Sequence, residues 1–154
     1  MRTNMGLYRG KRTDNGEWVE GAYGVLGKGT DIESHVIMVS TLSNGTVDRF
    51  YFTDVPVDPS TLGECTGLPD KNGRMVFESD ILKSEYGVCV VKFGAYTEGV
   101  EERIHEVLTT IHPVGWFVEY PTGEQAGWDW VGSADYFEVI GNLADNPELL
   151  EVGK

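Results

Sequence analysis

Three histidines and two cysteines are the residues whose types could hold a metal ion or attack a substrate. His35, His105 and His112 have neither the i, i+4 spacing nor the His-x-His spacing that places two imidazoles around one ion. We therefore expect ordinary histidines at the surface or at strand ends, with no metal site and no cofactor. Cys65 and Cys89 lie far apart without a C-x-x-C motif, which is typical of thiols in a reducing compartment, although a disulfide between them stays open.

The common catalytic motifs are absent from the sequence. It has no nucleophile elbow, phosphate-binding P-loop, dinucleotide fingerprint or zinc-protease helix motif. The 25 acidic residues offer many carboxylate pairs, but a general acid and base are defined by their distance in space rather than in sequence. The acidic residues also lack the spacing of a calcium loop, and one run of them favours a solvated face (Glu98, Glu101, Glu102 and Glu106). A catalytic residue set is therefore not predicted, and a small hydrolase remains an alternative.

A group of large aromatic residues near the C-terminal end forms the candidate binding site. Its members are Trp116, Tyr120, Trp128 and Trp130. Trp128 and Trp130 are two residues apart, so in a strand they would project from the same face. If exposed, such a face would offer a platform for a peptide, a sugar or a partner protein. If buried, the same residues would be core, which is the commoner use of large aromatics.

The charge of the chain is strongly negative. Twelve Lys and Arg residues stand against 25 Asp and Glu residues, giving a formal net charge of −13 and a pI near 4.5. Binding to a phosphate backbone requires clustered cations, so direct binding to DNA or RNA is disfavoured. The charge could serve solubility alone, or it could serve docking to a basic partner or imitation of nucleic acid.

Glycine-bearing turns between runs of β-forming residues predict a mainly β fold. The dipeptides Asn15-Gly16, Asn44-Gly45 and Asn72-Gly73 could each supply the two positive φ angles of a type I′ hairpin turn. Strands are expected on both sides of the first turn, at 7–11 and 17–26. Around the second, 35–40 reads as a well-buried strand and 47–53 as its return.

The stretch 53–70 contains many residues that interrupt regular structure. Pro56, Pro59, Gly63, Gly67 and Pro69 predict a long surface connection rather than one strand. A chain of 154 residues favours a single domain, 1–154, although this connection could also separate two halves, 1–55 and 70–154.

The second half continues the β pattern. Residues 75–83 and 86–93 are expected to form a strand pair, with G-V-C-V-V-K-F (87–93) in the core. The pattern at 98–110 fits either a turn of helix or an irregular strand. Strands are predicted at 114–120, 128–132 and 136–140, with a turn at 121–123. Asn146 as a capping residue before Pro147 predicts a short C-terminal helix.

Three motifs of the sequence resemble those of a known family. They are Y-R-G-K-R with G-E-W-V-E-G (8–12 and 16–21), T-G-L-P-D-K-N-G-R-M-V-F-E-S-D-I-L (66–82) and E-V-I-G-N-L-A-D-N-P-E-L-L (138–150). Together they resemble the YopX family of phage and prophage proteins. Ser79 departs from the family pattern, which usually has glycine there. If that position requires a positive φ, the turn at Ser79 must differ or carry strain.

The resemblance implies a β-rich domain with an SH3-like barrel element, encoded by a bacteriophage or a prophage. It brings no catalytic residues. From the residues themselves, Asp70–Gly73 is predicted to form a turn, and Asp80 to accept hydrogen bonds from backbone donors. Ile81 and Leu82 are predicted to lie in the core.

The resulting expectation is a non-enzymatic phage accessory protein that binds a host or phage protein, with a homo-oligomer left open. A nucleic-acid-related role is the second expectation, through the SH3-like barrel or through acidic mimicry, and a small hydrolase is the third. The N-terminus lacks the apolar region of a signal peptide, and no stretch is long and apolar enough to span a membrane, so a cytoplasmic protein is expected.

Overall fold

The protein is mainly β, with antiparallel strands, as the sequence predicts. A computed structural model describes residues 6–42, 50–96, 100–104, 107–111, 114–127 and 136–151. Contacts between residues divide the chain into two compact units, 1–67 and 68–154. The strands are, in chain order, β1 Tyr8–Arg12, β2 Trp18–Leu26, β3 Ser34–Leu42, β4 Phe50–Pro69, β5 Met75–Phe77, β6 Asp80–Ser84, β7 Gly87–Ala95, β8 Val100–Ile104, β9 Val107–Ile111, β10 Val114–Glu119, β11 Gln125–Gly127 and β12 Glu138–Asn142.

In the first unit, four strands pair in a closed ring. β1 pairs with β2, β2 with β3, β3 with β4, and β4 returns to pair with β1. Val36 and Ile37 of β3 are almost fully buried, which confirms the predicted buried strand at 35–40, and Val57 of β4 is buried as well. This ring is compatible with a small barrel, while the SH3-like character of the barrel remains a prediction.

The Asn-Gly turns differ from the predicted type. Gly16 has a φ of 72° and Gly73 a φ of 82°, but neither Asn15 nor Asn72 is among the residues with positive φ, so these are not type I′ turns. Asn15 instead uses its side chain, whose Oδ1 accepts a hydrogen bond from the backbone N–H of Glu17 at 2.9 Å. Both turns nevertheless join consecutive strands, and glycine alone supplies the left-handed residue. Asn44-Gly45 lies outside the described residues.

The predicted connection at 53–70 is wrong, because these residues lie in the 20-residue strand β4. The first part of β4 pairs with β3 and the next part with β1. Pro56 lacks a donor but keeps its carbonyl, which accepts a hydrogen bond from the N–H of Thr13 at 3.1 Å. Pro59 lies where the β1–β4 register shifts between Arg9 and Lys11, and proline is tolerated at such an irregularity.

The second unit is built on a sheet with the strand order β11-β10-β7-β6-β12. Residues of one face of it, together with Val76 of β5 and Phe137, form a core cluster of Val76, Leu82, Cys89, Val91, Val118, Phe137 and Val139. Ile81 and Leu82 are both fully buried, as predicted.

The ambiguous segment at 98–110 is a strand pair where the structure describes it. β8 and β9 form a two-stranded ribbon with Val100 opposite Ile111 and Ile104 opposite Val107. The β-branched content therefore outweighs the helical spacing of the apolar residues. The predicted strand at 128–132 lies outside the described residues, and β10 pairs instead with β11 across the predicted turn at 121–123.

The C-terminal helix is a short 3-10 helix, Pro147–Leu150. The predicted side-chain cap is wrong, because Asn146 makes no side-chain capping bond to it. The Asn146 side chain faces β12 instead, where its Oδ1 lies 3.4 Å from the backbone N–H of Asn142 as the acceptor.

The turn between β5 and β6 places a serine in a glycine-like conformation. Ser79 has a φ of 68° and is the one residue other than glycine with positive φ among the described positions. Its N–H donates to the carbonyl of Val91 and its carbonyl accepts from the N–H of Leu143, both at 2.9 Å. Two hydrogen bonds to other elements therefore hold this backbone in place, and the strain expected from the sequence is present.

Replacing Ser79 with glycine should stabilise the protein. Removal of the Cβ relieves the strain of the left-handed conformation. Glycine also raises the entropy of the unfolded chain, which offsets part of this effect, so the free energy of unfolding should rise by about 0.5–1 kcal/mol. Urea unfolding followed by circular dichroism measures the change. Ser34→Gly in β3 is the matched control and should destabilise by about 0.5–1 kcal/mol. A loss of stability in Ser79→Gly as large as the loss in the control would contradict the strain.

Candidate binding surface

The carboxylate of Asp70 links two segments that are distant in the sequence. Its Oδ1 accepts hydrogen bonds from the N–H groups of Asn72 and Arg74, both at 2.9 Å, and its Oδ2 accepts one from Val139 at 3.0 Å. Burial alone raises the pKa of Asp70, but the three backbone donors and the nearby Arg74 outweigh it and leave the pKa below its ordinary value. Asp70 therefore acts as a structural anion.

Further contacts join the same two segments. The N–H of Lys71 donates to the carbonyl of Phe137 at 2.9 Å, and the Lys71 ammonium lies 2.6 Å from Glu138. The buried carboxylate of Asp80 accepts from the N–H of Phe77 at 2.8 Å, which confirms its predicted role as an acceptor for backbone donors. The motifs at 66–82 and 138–150 thus contact each other and build the scaffold of the second unit.

An exposed apolar surface lies at the end of the β7–β10 pair. Phe93 stands opposite Trp116, and Ala95 stands opposite Val114. Opposed residues and residues two apart share one face of a sheet, so these four form one group, named here the apolar strip. Phe93 is 55% exposed and Val114 is 70% exposed. The rings of Phe93 and Trp116 meet edge to face with centroids 5.1 Å apart.

The apolar strip continues the core cluster outward. Val91 and Val118, two residues further along the same strands and on the same face, are fully buried. The prediction that all of 87–93 lies in the core therefore holds for Cys89, Val90 and Val91 but is wrong for Phe93. Among the described residues, Val76 of β5 and Phe137 belong to the core cluster at the middle of this face, whereas Phe93 and Val114 at its end are exposed.

The opposite face of the same strand pair carries polar contacts. The Lys92 ammonium lies 2.5 Å from Oε1 of Glu119, and the amide of Gln125 donates to Oε2 at 2.7 Å. The hydrogen bonds from Lys92 and Gln125 hold the pKa of Glu119 below its ordinary value. The charges near the apolar strip are thus paired on the other side of the sheet.

The predicted aromatic site is only partly described. Trp116 and Tyr120 are half-buried on one face of the β10 segment and pack against the core cluster. Burial raises the pKa of Tyr120, so its hydroxyl stays protonated at neutral pH. Trp128 and Trp130 lie outside the described residues. The binding role of these four residues therefore remains a prediction.

His35 takes part in a series of side-chain contacts in the first unit. The hydroxyl of Tyr23 and Nδ1 of His35 are 2.6 Å apart, and Nε2 of His35 is 3.7 Å from Glu33. Glu33 is itself held by the N–H of Gly29, which donates to Oε2 at 2.8 Å. These contacts brace β2 against β3 and the loop between them. His105 and His112 lie outside the described residues.

The remaining candidate chemistry is that of metals and thiols. Within the described ranges, no group of three or more His, Cys, Asp and Glu side chains is placed to hold a metal ion. Cys65 and Cys89 are both buried free thiols rather than a disulfide. Burial raises the pKa of Cys89 to about 12, so this thiol stays protonated at neutral pH and is a poor nucleophile.

The sequence matches the model of one known protein family. The sequence model of a family described as YopX protein matches residues 7–151, nearly the whole length. The chain belongs to the YopX family. A comparison with curated protein sequences found no match. The YopX resemblance drawn from the three motifs is thereby confirmed, including for the interior that carries none of them.

Sequence reasoning missed two residues of the surface in this YopX chain, Phe93 and Val114. The alternating pattern of β7 and β10 shows which residues share a face. It does not show where the covering residues stop, because these come from positions more than 15 residues away in the chain. Among the described residues of the YopX chain, no helix has the length and apolar character required to cross a membrane.

Proposed function

We propose that this YopX-family chain is a non-enzymatic accessory protein of a phage or prophage that binds another protein in the cytoplasm of the bacterial host. The observation that carries the proposal is the apolar strip. Phe93 and Val114 are large apolar side chains, more than half exposed, beside the half-buried Trp116. An aromatic group with an uncovered apolar rim is the composition that protein interfaces favour.

The contacts of the family motifs support the same proposal. Asp70, Lys71 and Asp80 form hydrogen bonds and an ion pair within the scaffold, so their carboxylates and ammonium are engaged in structure. Two other functions are outcomes of the test below. A nucleic-acid-related role would use the acidic surface or the first unit, and a hydrolase would use a residue set that the strip does not contain.

The test is affinity capture from a lysate of phage-infected bacteria at two salt concentrations, with mass spectrometry of the bound molecules. The bait proteins are the wild type, Phe93→Ser and Val114→Ser. The matched control is Tyr86→Ser, because Tyr86 is 76% exposed in the β6–β7 turn of the same sheet but outside the apolar strip. Circular dichroism shows that each bait is folded.

We expect one protein to be captured by the wild type and by Tyr86→Ser, and to be lost with Phe93→Ser and Val114→Ser. Identical sets of captured proteins from all four baits would overturn the proposal. Recovery of DNA, or of a basic DNA-binding protein that all four baits capture equally, would favour the nucleic-acid-related role instead.

A further inference from the structure

We infer that the partner supplies a basic, extended polypeptide segment that adds to the β8–β9 ribbon as a third strand and places apolar side chains on the apolar strip. This inference rests on the proposed protein-binding function and names the chemistry of the partner. It follows from three observations: a ribbon with no third strand among the described residues, the position of that ribbon in the chain, and the distribution of charge.

The ribbon has two strands in the part of the chain that the structure describes. β8 and β9 pair with each other from Val100 opposite Ile111 to Ile104 opposite Val107, and within the described ranges neither pairs with any other strand. An isolated two-stranded ribbon is marginally stable in water, and an unpaired edge presents a row of backbone donors and acceptors. An added strand would satisfy that row by main-chain hydrogen bonds.

The ribbon and the apolar strip are connected in the chain. β7 ends at Ala95 and β10 begins at Val114, and these two residues are paired with each other. The whole ribbon is inserted between them in the sequence, and Ile111 is three residues before Val114, so their Cα atoms are at most about 11 Å apart. A segment that pairs with the ribbon near this end can therefore also reach Phe93 and Val114.

The charge favours a basic segment over a second copy of this chain. Residues 1–67 hold six Lys and Arg against nine Asp and Glu, a net charge of −3, whereas residues 68–154 hold six against 16, a net charge of −10. The sequence from 97 to 113 alone contains four glutamates and one arginine. Like charges repel across an interface, so a second copy would be disfavoured there and a lysine-rich or arginine-rich strand attracted.

The inference is tested by calorimetric titration with a short synthetic peptide in which lysine alternates with valine. One control peptide has glutamate in place of lysine. A second control keeps the lysines but carries N-methyl groups on alternate backbone amides, which removes the donors needed for strand pairing. The proteins are the wild type, Val114→Ser and Tyr86→Ser, and the oligomeric state of each is measured by sedimentation.

We expect the lysine-valine peptide to bind the wild type and Tyr86→Ser, with affinity falling about tenfold or more between low and high salt. Val114→Ser should bind about tenfold more weakly. The N-methylated and glutamate peptides should not bind. Equal binding of the N-methylated peptide would overturn strand addition, and equal binding of the glutamate peptide would overturn the basic partner.

Failure of the inference is distinguishable from failure of the proposed function. If the lysine-valine peptide does not bind, while capture from lysate still depends on Val114, the basic segment is overturned and the protein-binding function stands. A dimer of the wild type that Val114→Ser dissociates would show that a second copy occupies the strip, which also overturns the basic segment. If neither capture from lysate nor binding of the peptide depends on Val114, both the inference and the proposed function fail.

Discussion

Replacing Asp70 with alanine should lower the free energy of unfolding by about 3 kcal/mol. The substitution removes the acceptor for three backbone N–H groups, and the donor of Val139 lies 69 residues away in sequence, so the link between the two family motifs is lost with it. Asp70→Asn keeps one acceptor oxygen, so its free energy of unfolding should fall by less than that of Asp70→Ala. The control is Asp54→Ala in the exposed part of β4, where a change within about 0.5 kcal/mol is expected in urea unfolding.

The same residue predicts a pH dependence of stability. The pKa of Asp70 is lowered on folding, so its contribution is fully present above the pKa of an unfolded aspartate, about 3.9, and is lost as the pH falls through the lower folded pKa. The stability difference between the wild type and Asp70→Asn should therefore shrink below about pH 4. A difference that is the same at pH 7 and at acid pH would show that the carboxylate charge does not contribute.

Replacing Leu82 with alanine should lower the free energy of unfolding by about 3 kcal/mol. Leu82 is fully buried on β6, in the core cluster with Cys89, its paired neighbour on β7, and Val139, its paired neighbour on β12. The loss combines the transfer free energy of the removed methyl groups with the cavity that they leave. Urea unfolding followed by circular dichroism measures it.

Leu26→Ala provides the comparison for this prediction. Leu26 is 48% exposed at the end of β2, so the same change of side chain should cost less than about 1 kcal/mol. Similar losses for the two variants would mean that Leu82 is not at the centre of the core.

Much of the fold could be predicted because its determinants are local. Asn15-Gly16 and Asn72-Gly73 mark real turns, in which glycine is the residue that adopts the left-handed conformation. The short apolar runs at 35–40 and 87–93 predict the buried parts of β3 and β7. The strained turn at Ser79 could be predicted because the family resemblance supplied glycine as the expected residue.

The strand β4 could not be predicted, because its prolines are tolerated for reasons that involve other strands. Pro56 is accommodated by the N–H of Thr13, more than 40 residues earlier in the chain. Pro59 sits in an irregular stretch where Thr61 Oγ1 accepts from the N–H of Lys11 at 2.8 Å. The number of prolines and glycines in one segment gives no information about such partners in other strands.

The candidate site was predicted in type but not in position. Sequence reasoning identified Trp116 as an aromatic residue on a strand face, with burial and exposure both open. The structure places Trp116 at the boundary between core and surface, beside Phe93 and Val114. That boundary depends on which residues from elsewhere in the chain, such as Val76 and Phe137, belong to the core cluster, which is a property of packing rather than of local sequence.

The decisive measurement for the apolar strip is the urea midpoint of Val114→Ser, determined on the same samples used for capture of the partner. If the apolar strip is a binding surface, the midpoint should stay close to that of the wild type while the partner is lost. A clearly lowered midpoint with the partner retained would contradict the account, because Val114 would then belong to the core and the partner would bind elsewhere.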